Sequence, residues 1–147
     1  MKKDKGFTLI EALMIISVIG ILTALAIPRF GTVGKKSAYM VSRQIVVDMR
    51  YARSLAVTTG TTHIVKFFPA GGSQYSSYGI FKDADPDVQI GNLRQIPTTV
   101  TCTSSSEQFN FEKLGNATGG TITLDDEHKH YVVYVIATTG RVFEQGI

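Results

Sequence analysis

The chain has 147 residues, 44% apolar and 18% charged, with no Trp and one Cys. That is enough for one compact domain with at most an appended element. The formal net charge is +3, but residues 28–54 carry six Lys or Arg against one acid, and residues 55–147 carry six against nine. The larger part of the chain thus lacks the concentrated positive charge of a nucleic-acid-binding head, and the single Cys102 excludes an intrachain disulfide.

The first element in chain order is an apolar run from Phe7 to Ile27, in which Glu11 is the one charged residue. As a helix this run extends about 31 Å, the thickness of a bilayer's hydrocarbon layer, which argues against a purely cytosolic enzyme. Residues 1–27 admit three readings: a cleaved secretory signal, a permanent anchor and a processed anchor. The run is too long for a secretory signal and meets Pro28-Arg29 instead of a small-residue cleavage site. A plain anchor leaves Glu11 without a role, since a carboxylate within a span is costly and calls for a partner. Basic residues flank the run on both sides, so charge does not orient it.

Gly20 and Pro28 are the expected weak points of this helix, Pro28 because it removes a backbone hydrogen bond. A second, amphipathic helix is expected within 28–60. Ala38, Val41, Ile45, Met49, Ala52 and Ala56 recur at helical spacing, with Gly60 as a left-handed cap. Arginines 43, 50 and 53 fall between the apolar positions and are expected on a solvated face.

From residue 61 the pattern becomes β. Strands are expected over 62–68, 78–82, 89–96, 98–103, 108–111, 121–124, 131–136 and 141–144, with a turn at Pro69-Ala70-Gly71-Gly72. The expected fold class is α+β: a long N-terminal helix on an antiparallel β-rich head, with 35–60 and 61–147 forming one soluble domain.

Lys5-Gly6-Phe7-Thr8-Leu9-Ile10-Glu11 resembles the leader of the type IV pilin and pseudopilin superfamily, and Pro28 stands where that superfamily commonly has a proline. Residues 48–56, Phe109-Asn110-Phe111 with Gly115, Gly120–Leu124, and Val132–Val135 leading into Gly140-Arg141-Val142 resemble the GspH/FimT group within it. The resemblance implies cleavage of residues 1–6 by a prepilin peptidase between Gly6 and Phe7, and methylation of the Phe7 amine. It also implies a single-pass anchor in a bacterial inner membrane, with the head on the periplasmic or extracellular side. On this reading the chain is a minor pseudopilin, assembled with other pilin-like subunits into the filament of a type II secretion system, and Glu11 neutralises a neighbour's Phe7 amine. A minor pilin of a type IV pilus is the alternative, ahead of a DNA-binding competence pilin.

The remaining chemistry-bearing residues give no catalytic constellation. Asp83, Asp85 and Asp87 alternate as in a calcium loop, but an EF-hand-type loop needs Gly and Glu where Val88 and Arg94 stand. A solvated acidic turn is the default. His63, His128 and His130 are expected as exposed polar residues, since two alternating histidines make no metal site. Cys102 is expected as a buried thiol. Arg141 follows Gly140 as in DNA-uptake relatives, but the second basic residue of that element is missing from Phe143-Glu144-Gln145-Gly146-Ile147, which argues against nucleic acid as a partner. No cofactor is expected.

Overall fold

The computed structural model describes residues 8–26, 37–84, 86–127 and 129–146, with residues 22–26 described by their backbone alone. Gly6, Phe7, Pro28, Asp85 and His128 lie outside the described residues. The chain separates into two units, one up to residue 35 and one from residue 36 onward.

In the first unit, α1 (Leu9–Ala26) is an 18-residue helix that runs through Gly20. Glu11 N and Ala12 N donate to Thr8 O, at 3.1 and 3.3 Å, and close its first turn. Every described side chain from Thr8 to Ile21 is exposed.

The second unit is built on α2 (Ala38–Thr59). Its apolar positions Ala38, Val41, Ile45, Met49, Ala52 and Ala56 are all buried, and Gly60 closes it at φ 67°, the left-handed conformation expected of a C-terminal glycine. The N-terminus is capped from a distance. Ser37 makes no side-chain cap; Asp126 Oδ2 instead accepts Ala38 N–H at 2.9 Å, placing a carboxylate where the helix dipole favours one.

Eight strands follow: β1 (His63–Gly71), β2 (Gln74–Lys82), β3 (Val88–Gln95), β4 (Thr101–Ser104), β5 (Gln108–Phe111), β6 (Gly120–Asp125), β7 (His130–Val135) and β8 (Val142–Gly146). They form two antiparallel sheets of four, ordered β3-β2-β1-β5 and β4-β6-β7-β8. The turn expected at 69–72 is shifted. β1 continues through Pro69 and Ala70 to Gly71, with register shifts at Pro69, and β2 starts four residues earlier than expected, at Gln74. Pro69 cannot donate to a ladder, and the irregular register accommodates it within a strand.

Both sheets and α2 share one core. Phe67 is its aromatic centre, with Tyr75, Tyr78 and Phe109 at ring-centroid distances of 5.6, 5.4 and 6.1 Å. Ile122, Leu124 and Val133 fill it from the second sheet, and Ile45 and Met49 from the helix.

A close-packed corner near the C-terminal end of α2 involves two glycines. Gly115 (φ 86°) and Gly140 (φ 59°) are both left-handed, and Arg53 Nε donates to Gly115 O at 3.0 Å. A Cβ at Gly140 would collide with the Gly115 carbonyl and crowd the Arg53 side chain. Gly72, also left-handed at φ 63°, has nothing within 4 Å of a Cβ. Gly72→Ala is therefore expected to cost about 1–2 kcal/mol, the left-handed penalty alone. Gly140→Ala adds a steric clash and is expected to cost at least about 2 kcal/mol more. Equal shifts of the two variants in urea unfolding would refute the corner as described.

Candidate functional site

Two surfaces bear on function: the apolar α1 and the polar fastenings of α2. In α1, Leu9 is 80% exposed and Ile10, Met14 and Ile16 are each about two-thirds exposed. Apolar residues occupy every face, so this is a helix whose stable surroundings are not water. Glu11 lies in the first turn, where the dipole favours a carboxylate. Among the described residues no helix is long and apolar enough to cross a membrane.

The α2 arginines 43, 50 and 53 lie on the exposed face, as the spacing predicts, and are in addition tethered to the rest of the head. Arg50 donates through Nε and a terminal nitrogen to Val142 O, at 3.1 and 2.8 Å. Arg53 holds Gly115 O. Arg43 pairs with Glu144 at 3.3 Å, and Glu144 also accepts Ser42 Oγ–H at 2.7 Å. Spacing alone could not reveal this, because the acceptors are mostly backbone carbonyls distant in sequence.

Asp48, 7% exposed, is the buried acid among the described residues of the head. Its Oδ2 accepts the Tyr78 hydroxyl at 2.8 Å and faces Arg94 Nε at 3.4 Å, and its Oδ1 accepts Gln44 Nε2–H at 3.0 Å. The carboxylate is thus fully engaged by neutral and cationic donors. Burial, and then the neighbouring Asp48 charge, push the Tyr78 hydroxyl well above its ordinary value. Reading the sequence for pairs of reactive groups passed over Asp48, because its partners come from three different elements.

Of the acidic turn, Asp83 and Asp87 are among the described residues. Asp87 pairs with Lys66 and accepts Ala84 N–H at 3.4 Å. The hydrogen bond from Lys66 holds the Asp87 carboxyl below its usual range. Asp83 is exposed, and its N–H donates to Thr62 O at 3.0 Å. Among the described residues no three His, Cys, Asp or Glu side chains are grouped to hold a metal.

His63 departs from its expected exposure. It opens β1 facing the core, 2% exposed, with Nδ1 3.0 Å from Thr61 O. His130 is half-buried and pairs with Asp125. Arg141 is exposed and its guanidinium lies 5.8 Å from the Phe143 ring centroid, a cation–π contact. Cys102 on β4 is 1% exposed, and burial pushes its thiol up to about 12.

One helix packed on two antiparallel sheets, together with an apolar helix carrying an acid in its first turn, is the architecture of type IV pilin-like subunits. The chain belongs to the family described as Type II transport protein GspH, whose profile matches residues 41–140. Residues 1–27 match the prokaryotic N-terminal methylation motif.

The chain is 30% identical over 127 residues to the Type IV narrow pilus major component PilA5 of Thermus thermophilus, covering 84% of this chain and 99% of that protein. Its fold is shared by the minor pseudopilin EpsH of the type 2 secretion system of Vibrio cholerae, with a TM-score of 0.64 and 10% identity over 76% of this chain and 98% of that one. The type IV minor pilin FimU of Pseudomonas aeruginosa shares it too, with a TM-score of 0.58 and 17% identity over 71% and 89% of the two chains. Families of this kind are structural filament subunits, and the protein is a structural subunit rather than an enzyme.

The raised pKa values of the buried thiol and phenol make a loss of stability at alkaline pH the expected outcome. A group whose native pKa is raised contributes fully below its unfolded value, and that contribution fades as pH rises toward the native value. For Cys102 the window runs from about 9 to about 12, and Tyr78 adds to the loss above its ordinary value of 10.0. Urea unfolding of the wild type is expected to weaken across this window. Cys102→Ala is expected to flatten the slope by up to about 1.4 kcal/mol per pH unit. An unchanged slope would mean that the thiol is not shielded in the folded protein.

Proposed function

We propose that this protein is a membrane-anchored pilin-like subunit, processed at its N-terminus and assembled as a minor pseudopilin into the filament of a type II secretion system. The observation that carries the reading is α1, apolar and exposed on every described face apart from one acid in its first turn. Such a helix lowers its free energy by entering lipid or by packing against other apolar helices, and a filament subunit does both in turn. The apolar sequence runs from Phe7 to Ile27, long enough to span a bilayer once in a slightly tilted helix. The match of the head to the GspH family favours the secretion machine. A second reading, a type IV pilus subunit, is favoured by the similarity to PilA5.

In this proposal a prepilin peptidase cuts after Gly6 and the Phe7 amine is methylated. Glu11 then pairs with the amine of a neighbouring subunit, removing two charges from an apolar setting and fixing the axial register. Gly20 is a weak point within the span, and Pro28 relaxes the helix where it leaves the membrane. Intact-mass analysis of membrane-extracted protein is expected to show loss of residues 1–6 and one added methyl group. A full-length, unmethylated chain from a peptidase-competent cell would overturn the processing.

Glu11→Val is expected to insert and be cut normally, because it makes the helix more apolar. It should nevertheless fail to incorporate, since a buried amine left unpaired costs about 3–5 kcal/mol. Crosslinking to other pilin-like subunits at equal membrane levels measures this, and undiminished crosslinking would remove Glu11 from assembly. Deleting the gene separates the two machines. The secretion reading expects exoproteins retained in the cell with surface pili intact, and the pilus reading expects the reverse.

A further inference from the structure

Of the described arginines, 43, 50, 53 and 94 are each tied down within the head, to Glu144, the Val142 and Gly115 carbonyls, and Asp48. Arg141 is different. Among the described residues its exposed guanidinium has neither a hydrogen bond nor an ion pair, and it rests 5.8 Å from the centroid of the Phe143 ring. Phe143 is stacked in turn on Tyr134, with centroids 5.2 Å apart and planes at 17°. The backbone beneath is fixed. Ile136 N–H donates to Arg141 O at 3.0 Å, Gly140 N–H to Ile136 O at 2.8 Å, and Arg141 N–H to Thr139 Oγ1 at 3.3 Å. A guanidinium laid against a ring on so tight a hairpin loses little freedom when it binds.

The stack lies on the face of the second sheet turned away from the core. Val133, Val135 and Val142 point inward, so by alternation Tyr134, Ile136 and Phe143 stand on the other face. Tyr134 and Phe143 sit opposite each other across β7 and β8, and Ile136 is 39% exposed beside them. The acid at the outward positions of these strands is Asp125, which is already paired with His130. That pair lies six residues before Ile136, about 20 Å along the strand. The patch is therefore one positive charge set among apolar and aromatic surface.

This chemistry selects a partner. Nucleic acids and anionic membranes present many phosphates and are held by several cations together. Here there is one, on a head whose residues 55–147 carry nine acids against six Lys or Arg. A single fork of donors beside apolar surface matches a single carboxylate flanked by an apolar side chain. So small a patch does not hold a free protein by itself, whereas subunits anchored side by side meet at high effective concentration.

We infer that this face of the head docks against a different pilin-like subunit. Arg141 takes an Asp or Glu of that subunit, while Ile136 and the Tyr134–Phe143 pair cover the apolar side chain next to it. The inference rests on the filament-subunit reading and names the surface and the chemistry of one contact within it. The neighbour is a different subunit because a minor subunit is surrounded by others.

The test uses the full-length protein in membranes of cells that contain the assembly machinery. Gln145→Cys places a thiol on the same face, at an exposed position two residues along β8 from Phe143, while the native Cys102 is 1% exposed. Labelled with benzophenone maleimide and irradiated, it is expected to capture a pilin-like subunit other than this chain, through a peptide containing an Asp or Glu. Adding Arg141→Glu is expected to cut the yield by about tenfold or more. Arg141→Lys is expected to cut it less, since an ammonium keeps the charge without the planar fork. Exchanging the captured peptide's acid for Arg is expected to restore the yield with Arg141→Glu. Failure of that exchange, or a yield indifferent to Arg141→Glu, would overturn the pairing. Capture of a second copy of this chain or of a secreted protein would overturn the occupant, as would retardation of duplex DNA that Arg141→Glu abolishes. Leu13→Cys, exposed on α1 and carrying the same label, reports separately on helix bundling. Helix capture without head capture would overturn this contact and leave the filament reading intact. Absence of both would overturn that reading and this contact with it.

Discussion

The head depends on α2 presenting one apolar stripe to two sheets at once. Neither four-stranded sheet is large, and each gains its buried face by meeting the other and the helix around Phe67, Ile45 and Met49. Because one helix serves both, any rotation of α2 would disturb both packings together. Its polar residues prevent that rotation. Asp48 grips β2 and β3 through Tyr78 and Arg94, Arg50 and Ser42 grip β8, and Arg53 grips the turn at Gly115. With Asp126 holding the first turn, the helix is fastened along its whole length by bonds that replace water and leave few buried polar groups unpaired.

The two helices illustrate what sequence periodicity can and cannot convey. The stripe of α2 was legible, from Ala38 to the Gly60 cap, because burial of one helical face follows directly from spacing. Most strands were legible for the same reason, with boundaries moved by a few residues. The extension of β1 through Pro69 was not, since a proline between small residues signals a turn unless a strand irregularity absorbs it. The fastenings of α2 were hidden too. Carbonyls of Val142 and Gly115 have no sequence signature, and a buried His63 looks the same in sequence as an exposed one. Of the candidate site, Glu11 stood out because a single charge in an apolar run is conspicuous, whereas Asp48 was legible only within the 48–56 resemblance and not as a buried acid, because Tyr78 and Arg94 reach it from other strands.

α1 and the head solve opposite problems. The head satisfies its polar groups internally and presents a mixed surface to water. Helix α1 has almost no polar side chains to satisfy, and its apolar surface calls for an environment outside the unit itself. A chain with both properties fits the anchored filament subunit proposed above. Glu11 is the acid in the first turn of that helix, and a carboxylate in an apolar setting is costly unless paired.

The attachment of Arg50 to Val142 has a bearing on how copies can meet. Ile136 N–H donates to Arg141 O, so the alternation of an antiparallel pair turns the Val142 carbonyl away from β7, toward the free edge of the sheet. Arg50 occupies that carbonyl with two donors, and Glu144 farther along the same strand is engaged by Ser42 and Arg43. An open edge of this kind would otherwise invite another strand to continue the sheet, which is the usual route to amyloid-like stacking at high local concentration. With the Val142 carbonyl taken by Arg50, one acceptor on this edge is closed to a neighbour's strand, which makes continuation of the sheet across β8 less favourable.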